Sequence, residues 1–314
     1  MALACTGTIS IDSVYTPHGQ QEKVLGGSVT YFAAAASFHG PVRVVAAVGG
    51  DFPASCRATL KKFKNIDASG LETRTGSKTF AWGGKYHENM DSRETLFTEL
   101  GVLAEAPPVV PAAFADSAFV FLANSHPAVQ MGFLKQFPKR RLVVADTMDL
   151  WINTARADLE ALIAQVDGLV LNYDEAELFT GKKNPVTAAR HMLKSYAKGK
   201  KGLKFVVVKK GEHGCILVHR DGISALPAYP AEKVIDPTGA GDTFAGGLMG
   251  SIAAAAKKRK LANPWAYDVI QRGLAHGTVV ASFNIESFTL GRLLKLTKAQ
   301  LDKRYREYAK MVRV

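Results

Sequence analysis

Short apolar runs rich in Val, Leu and Ile recur along this chain, and helix-compatible stretches separate them. The expected strands are 3–11, 42–48, 119–123, 142–146, 168–171, 205–208 and 215–219. Few of them alternate polar with apolar residues, which is the pattern of strands covered on both faces. Helix-compatible stretches lie at 29–38, 128–137, 154–165, 185–197, 242–257 and 264–283. Strands that alternate with helices predict a mostly parallel central sheet in a three-layer α/β/α fold.

Two stretches break this rhythm. Residues 12–27 and 71–102 hold β-type or turn-rich sequence and no good crossover helix. The second contains Lys78–Tyr86 and Arg93–Leu100, which read as two strands of a small antiparallel sheet. The expected division is therefore an α/β domain of residues 1–11, 28–70 and 103–314, with 12–27 and 71–102 forming a small β-sheet lid. A surface decoration is the plainer alternative for that sheet.

Composition narrows the function classes. A chain of 314 residues with 47% apolar and 22% charged residues is that of an ordinary globular protein. No apolar run reaches the roughly 18 residues of a spanning helix. The N-terminal apolar stretch lacks a preceding basic region, so it reads as a first strand and the expected location is the cytoplasm, without membrane contact. Cys5, Cys56 and Cys215 are too few and too scattered for a disulfide framework or a zinc site. His87 and His126 lack closely spaced metal-ligating partners and read as ordinary surface or pocket histidines. The net charge of +12 attracts anions in general. In the basic segment 292–313, however, Asp302 and Glu307 interrupt the cations over a helical apolar pattern. A solvated helix face is expected there, with no nucleic acid as partner.

The most informative segment runs from Val234 to Leu248. A strand-like approach ends at Asp236-Pro237, the small residues Thr238-Gly239-Ala240-Gly241 follow, and a helix-compatible run begins at Asp242. A small-residue loop feeding a helix directs backbone N–H groups at one spot, where the helix dipole also favours negative charge. Such an anion hole suits charge that develops on a transferring phosphoryl group. Asp242 can be a simple N-cap. Beside an anion hole, though, a carboxylate suits the task of taking a proton from an attacking hydroxyl. The GxxxxGK[ST] pattern is absent, and GxGxxG fails at its third glycine, so neither a P-loop NTPase nor a dinucleotide-binding dehydrogenase is expected.

The run Asp236-Pro-Thr-Gly-Ala-Gly-Asp-Thr-Phe-Ala-Gly-Gly247 resembles the C-terminal signature of the ribokinase, or PfkB, carbohydrate kinase family almost letter for letter. Further matches fall in the family's order along essentially the whole chain. Gly7-Thr-Ile-Ser-Ile-Asp12 resembles the first strand and its acceptor-binding aspartate, and Gly26-Gly27 the N-terminal Gly-Gly signature that admits a ligand close to the backbone. Asn172-Tyr-Asp-Glu175 matches the NxxE element, whose Asn and Glu act in the family through the magnesium–water and phosphate network. Glu177 is a weaker substitute. Lys209-Lys-Gly-Glu-His-Gly214 resembles the nucleotide-side strand and turn, with Gly211 and Gly214 near ATP and Lys209 either on a phosphate or solvated. Ala275–Asn284 corresponds to the helix beside adenine. Many members hold a monovalent cation near the anion hole. Asp236 and Thr238 match part of that site, whereas 284–288 departs from the usual glycine-containing pattern and leaves potassium dependence open.

The resemblance implies an ATP- and Mg²⁺-dependent kinase. Asp242 would act as general base, with Gly239, Ala240 and Gly241 as the anion hole and Asp12, Gly26 and Gly27 on the acceptor. A free sugar is the first acceptor class. A nucleoside is the second, with Phe80, Trp82 and Tyr86 offering an aromatic surface. A sugar phosphate is the third and would need Lys78, Lys85 or Arg93 to point inward. A catalytically silent binding protein on the same fold is the rival from another class. The apolar lid residues Phe80, Trp82, Leu96 and Phe97 leave open a homodimer through the lid.

Overall fold

The computed structural model describes residues 2–197 and 202–313; the outermost ends of the expected α/β domain, 1 and 314, lie outside it. Thirteen strands among the described residues divide between two sheets. The large sheet contains β1 (Leu3–Thr6), β4 (Val42–Gly49), β5 (Ile66–Arg74), β8 (Phe119–Leu122), β9 (Leu142–Asp146), β10 (Gly168–Asn172), β11 (Phe205–Lys209), β12 (Cys215–His219) and β13 (Gly222–Leu226). Its order is β13-β12-β11-β10-β9-β8-β1-β4-β5. All neighbours from β5 to β11 pair in parallel, and β12 and β13 close that end antiparallel. The small sheet joins β2 (Ser10–Thr16), β3 (Gly19–Gly26), β6 (Phe80–Tyr86) and β7 (Arg93–Glu99) in the order β3-β2-β6-β7. Both hairpins are antiparallel, but β2 and β6 run parallel.

Successive strand residues point to opposite faces, and each face of the large sheet carries its own apolar core. Leu3, Cys5, Phe119, Phe121, Val144, Val170, Phe205 and Val207 enter one. Ala4, Val120, Leu122, Ala145, Leu169, Leu171, Val206 and Val208 enter the other. Helices α1 (Ser28–Ser37), α8 (Ala240–Arg259) and α9 (Tyr267–Asn284) cover the first face together with α2 (Ala54–Lys61). Helices α3 (Pro127–Lys135), α4 (Asp149–Thr154), α5 (Arg156–Ile163), α6 (Tyr173–Thr180) and α7 (Pro185–Tyr196) cover the second. The basic C-terminal segment forms α10 (Lys298–Met311), whose surface carries the i,i+4 pairs Lys298–Asp302 and Lys303–Glu307.

Two expectations need correction. The run 3–11 is two strands, because the chain leaves the large sheet at Thr6 and enters the small one at Ser10. At the break, the Thr8 hydroxyl and amide bond to Ser28 at the start of α1 and its carbonyl accepts from Val29 N–H, so the chain there is held by the helix instead of the first ladder. Residues 71–74 belong to the large sheet, where β5 pairs with β4 as far as Gly49–Arg74. The second stretch of the small sheet therefore begins later than residue 71, with β6 at Phe80.

Helix α8 runs between α1 and α9 at unusually short range. A methyl group at Gly246 would fall 2.2 Å from the Phe32 carbonyl oxygen, and one at Gly247 2.5 Å from a Val280 methyl and 2.9 Å from the Gly277 Cα. The small residues of the 245–247 run thus let three helices touch, which fixes where the N-terminus of α8 emerges.

Candidate active site

The N-terminus of α8 opens at the edge of the large sheet where the parallel strands end, the customary ligand side of such sheets. Gly239 is the N-cap with φ 72, and a side chain there would collide with the Tyr31 ring at 2.2 Å. Glycine is required on both counts. Thr238 N–H donates to Asp236 Oδ1 at 2.8 Å, and Ala240 N–H turns back to the Pro237 carbonyl at 3.1 Å. Ala240 therefore adds shape to the expected anion hole while its N–H is engaged in the turn. Among the described residues no backbone carbonyl accepts from Gly241 or Asp242 N–H, so these two amides form the helix mouth.

Asp242 stands in the first turn of α8 and is partly exposed. Desolvation in the cleft pushes its carboxyl up to about 6, Lys209 opposes the rise and Glu175 adds to it. A carboxylate with that value is ionised at neutral pH yet basic enough to take a proton. Lys209 ends β11, and its Nζ lies 2.6 Å from where a Gly241 Cβ would be. The ammonium thus rests against the helix mouth.

Strand alternation explains why several charged groups converge here. Val144, Val170 and Val207 face α8, so residues two further on, Asp146, Asn172 and Lys209, project to the same side from the ends of β9, β10 and β11. Asn172 and Glu175 form a reciprocal capping box on α6: Glu175 N–H donates to Asn172 Oδ1 at 2.8 Å and Asn172 N–H to Glu175 Oε2 at 2.7 Å. The NxxE element therefore serves the fold as well as any ligand. Burial raises the Glu175 carboxyl, with Lys209 holding it down. Asp146 was missed from sequence. It is buried, its Oδ1 has no partner, and desolvation followed by the charge of Asp242 raises its carboxyl well above the ordinary range. A charged residue ending an otherwise apolar strand was the signal available.

On the other side of the cleft, Asp12 sits within β2 and is 4% exposed. A methyl group at Gly26 would lie 1.8 Å from Asp12 Oδ2, so that glycine exists to admit the carboxylate. Burial drives the Asp12 carboxyl up to about 7, and neither Asp12 Oδ1 nor the nearby Ser10 hydroxyl has a hydrogen-bond partner. Gly27 is the N-cap of α1 with φ 96. The small sheet lies over this cleft. Thr238 Oγ1 bonds to Tyr86 OH of β6 at 3.2 Å, and the positive charge of Arg93 on β7 acts on Asp242 and Glu175. At the nucleotide-side turn, Gly211 (φ 54) has Asp91 of the β6–β7 turn as its nearest neighbour, and Gly214 (φ 81) packs on the Leu226 carbonyl. Lys78 and Lys85 are exposed. Trp82 lies along its own strand over Gly84, and Phe97 lies over Gly83, so both rings pack within the small sheet. His87 is exposed, and His126 caps α3 through Nδ1. No cluster of three or more His, Cys, Asp or Glu side chains among the described residues is arranged to hold a metal unaided, and no described helix is long and apolar enough to cross a membrane.

Comparison with known proteins identifies the family and the fold. Residues 3–263 match the family described as pfkB family carbohydrate kinase. The chain is 30% identical over 255 residues to a cytidine kinase of Thermococcus kodakarensis, covering 79% of this chain and 87% of that one. Among solved structures, the nucleoside kinase of Burkholderia thailandensis in complex with ADP-inosine superposes with a TM-score of 0.76 at 17% identity, covering 98% of this chain and 96% of that one. The nucleoside kinase of Methanocaldococcus jannaschii does so with 0.73 at 21% identity, covering 98% of each chain.

Proposed function

Since the chain belongs to the pfkB family of carbohydrate kinases, we propose that it transfers the γ-phosphoryl group of ATP to one hydroxyl of a small acceptor bound between Asp12 and Asp242. The observation that carries this reading is the placement of a proton-accepting carboxylate, Asp242, beside the outward amides of Gly241 and its own residue at the mouth of α8. Asp242 takes the hydroxyl proton as the acceptor oxygen attacks phosphorus. The two amides and the Lys209 ammonium face the charge that builds on the phosphoryl oxygens. Gly239 and Ala240 shape the turn that aims them. Gly211, beside Asp91 of the β6–β7 turn, presents a side-chain-free position on the nucleotide side, and Gly214, packed on the Leu226 carbonyl, shapes the turn that carries it.

The carboxylates of Glu175 and Asp146 fit a hard cation that keeps most of its waters, and the unpartnered Asp146 Oδ1 is the atom left wanting such a neighbour. Mg²⁺ held on ATP phosphates by these residues and Asn172, through water, would neutralise phosphate charge. The small sheet acts as a lid that excludes water while the transfer proceeds.

Asp12 has one oxygen packed on Gly26 and the other unpartnered, which suits bonds to hydroxyls of a polyol. Free sugars and the ribose of a nucleoside both present such hydroxyls. Similarity to a cytidine kinase over most of the chain favours the nucleoside as a second reading; Lys78 and Lys85 are exposed, which leaves Arg93, whose charge acts on Asp242 and Glu175, as the one cation of the three for a sugar phosphate. A coupled ADP-release assay against sugars, nucleosides and sugar phosphates tests the assignment. Acceptor-dependent ADP release that Asp242→Asn abolishes is expected. ATP binding without turnover on any hydroxylated acceptor would favour the silent binding protein instead.

A further inference from the structure

The loop that carries the helix mouth is tied at three points to the segment after α9. Ile235 N–H donates to the Ile285 carbonyl at 2.7 Å, Thr289 N–H to Asp236 Oδ2 at 2.8 Å, and Asn284 Nδ2 to the Thr238 carbonyl at 2.9 Å. Asp236 and Asn284 are both fully buried. With Thr238 N–H on Asp236 Oδ1, each carboxylate oxygen of Asp236 already has a protein donor. Thr289 holds a left-handed conformation, φ 50, that is unfavourable for a β-branched residue. The surrounding contacts hold it there, with its N–H donated to Asp236.

A monovalent cation beside this loop would need oxygen ligands such as the Asp236 carboxylate and the Thr238 carbonyl. Here each Asp236 oxygen accepts from a backbone N–H, and the Thr238 carbonyl accepts from the Asn284 amide NH₂. Turning the Asn284 amide over would set two acceptors against each other, so the orientation with nitrogen toward Thr238 is the one the hydrogen bond demands. The buried Asn284 Oδ1 is the one oxygen of this group without a donor, and a single neutral acceptor beside oxygens already taken by N–H groups does not make a potassium site.

We propose that Asn284 is a positioning residue whose amide braces the Thr238–Asp242 turn in place of a monovalent cation, so that phosphoryl transfer by this chain is independent of potassium. The proposal rests on the kinase reading above. It explains why 284–288 departs from the glycine-containing pattern: the segment must deliver a side-chain donor and two backbone contacts to the loop. Asn284 touches no reacting atom; it acts by fixing where the Gly241 and Asp242 amides point.

The test compares turnover in potassium, sodium and tetramethylammonium chloride, alongside melting temperature and calorimetric ATP binding, neither of which needs an acceptor. Wild-type turnover, melting and ATP affinity are expected to agree within about twofold or a degree or so across the three salts, since a satisfied hydrogen bond leaves nothing for an ion to replace. Asn284→Asp cannot donate and places a further acceptor beside Thr238 O. Its kcat is expected to fall about tenfold or more in tetramethylammonium, with the KM for ATP changing less, and potassium should restore part of the loss and raise its melting temperature. Asn284→Ala should lose a similar factor without rescue by potassium. Wild-type turnover or melting that depends on potassium overturns the proposal, as does wild-type kcat in Asn284→Ala. If Asn284→Asp fails to fold, the wild-type melting and ATP-binding comparison still decides. Absence of any phosphorylated acceptor would count against the kinase reading alone, because those two measurements report on the brace without it.

Discussion

Asp242 and Asp12 are both carboxylates lifted by burial, yet the consequences differ because one must ionise to work while the other must bind. Asp242→Asn keeps the shape of the helix mouth but removes the proton acceptor, so kcat should fall by roughly 10²–10⁴ while ATP binding measured by calorimetry persists. The proposed base would act only when ionised, and its value lies at about 6, so kcat/KM should rise with pH through that value and level off above it. Lys209 holds the carboxyl down, so Lys209→Met should move this acidic limb to higher pH as well as lower kcat; an unmoved limb would show that the ammonium does not face Asp242. For Asp12, a folded value of about 7 against an ordinary 3.8 means that the neutral form favours folding. That stabilisation is present at low pH and lost as pH rises through 7. Asp12→Asn should therefore raise the melting temperature of the ligand-free protein at pH 8 and have little effect on it near pH 4, while acceptor KM rises sharply. Equal shifts at both pH values would contradict the burial argument.

At the level of elements, α8 is placed by what it lacks. Gly246 and Gly247 let it touch α1 and α9, and the backbone atoms they face cannot move aside as a flexible side chain can. Gly246→Ala should cost about 1–3 kcal/mol by overpacking, with activity lost beyond what reduced stability explains, since the helix mouth shifts with the helix. Gly132 in α3 is the control: it has ordinary helical geometry and open space around its Cβ direction. Gly132→Ala should stabilise by about 0.5–1 kcal/mol. Chemical denaturation of the two variants separates packing need from mere helix propensity.

At the scale of the whole molecule, the large sheet supplies the charged strand ends and the small sheet covers them. The Tyr86–Thr238 contact joins the cover directly to the phosphate-facing loop. If the small sheet closes as the proposed lid, Tyr86→Phe should raise acceptor KM severalfold and increase ATP hydrolysis relative to acceptor phosphorylation, as looser closure admits water. Unchanged coupling between ADP release and product formation would show that the bond plays no part in closure. Apolar Leu96, Phe97 and Leu100 remain exposed on the small sheet.

Much of this arrangement was legible in the chain itself. Apolar runs covered on both faces imply a parallel sheet with two helical layers, and the small-residue run before Asp242 implies an anion site, because both follow from local chemistry over a few consecutive residues. The groups that act from a distance were not legible. Asp146 matters because β9 ends beside β10 and β11, Tyr86 because the small sheet folds over Thr238, and Asn284 because α9 terminates against a loop some 46 residues earlier in the chain. The single run 3–11 likewise became two strands in two sheets where Thr8 meets Ser28 and Val29 at the start of α1, a contact between segments some 20 residues apart. Local propensity determines what each segment can be, whereas contacts between segments far apart in sequence determine which side chains share a cleft, and that sharing is what lifts a buried carboxylate above its ordinary range.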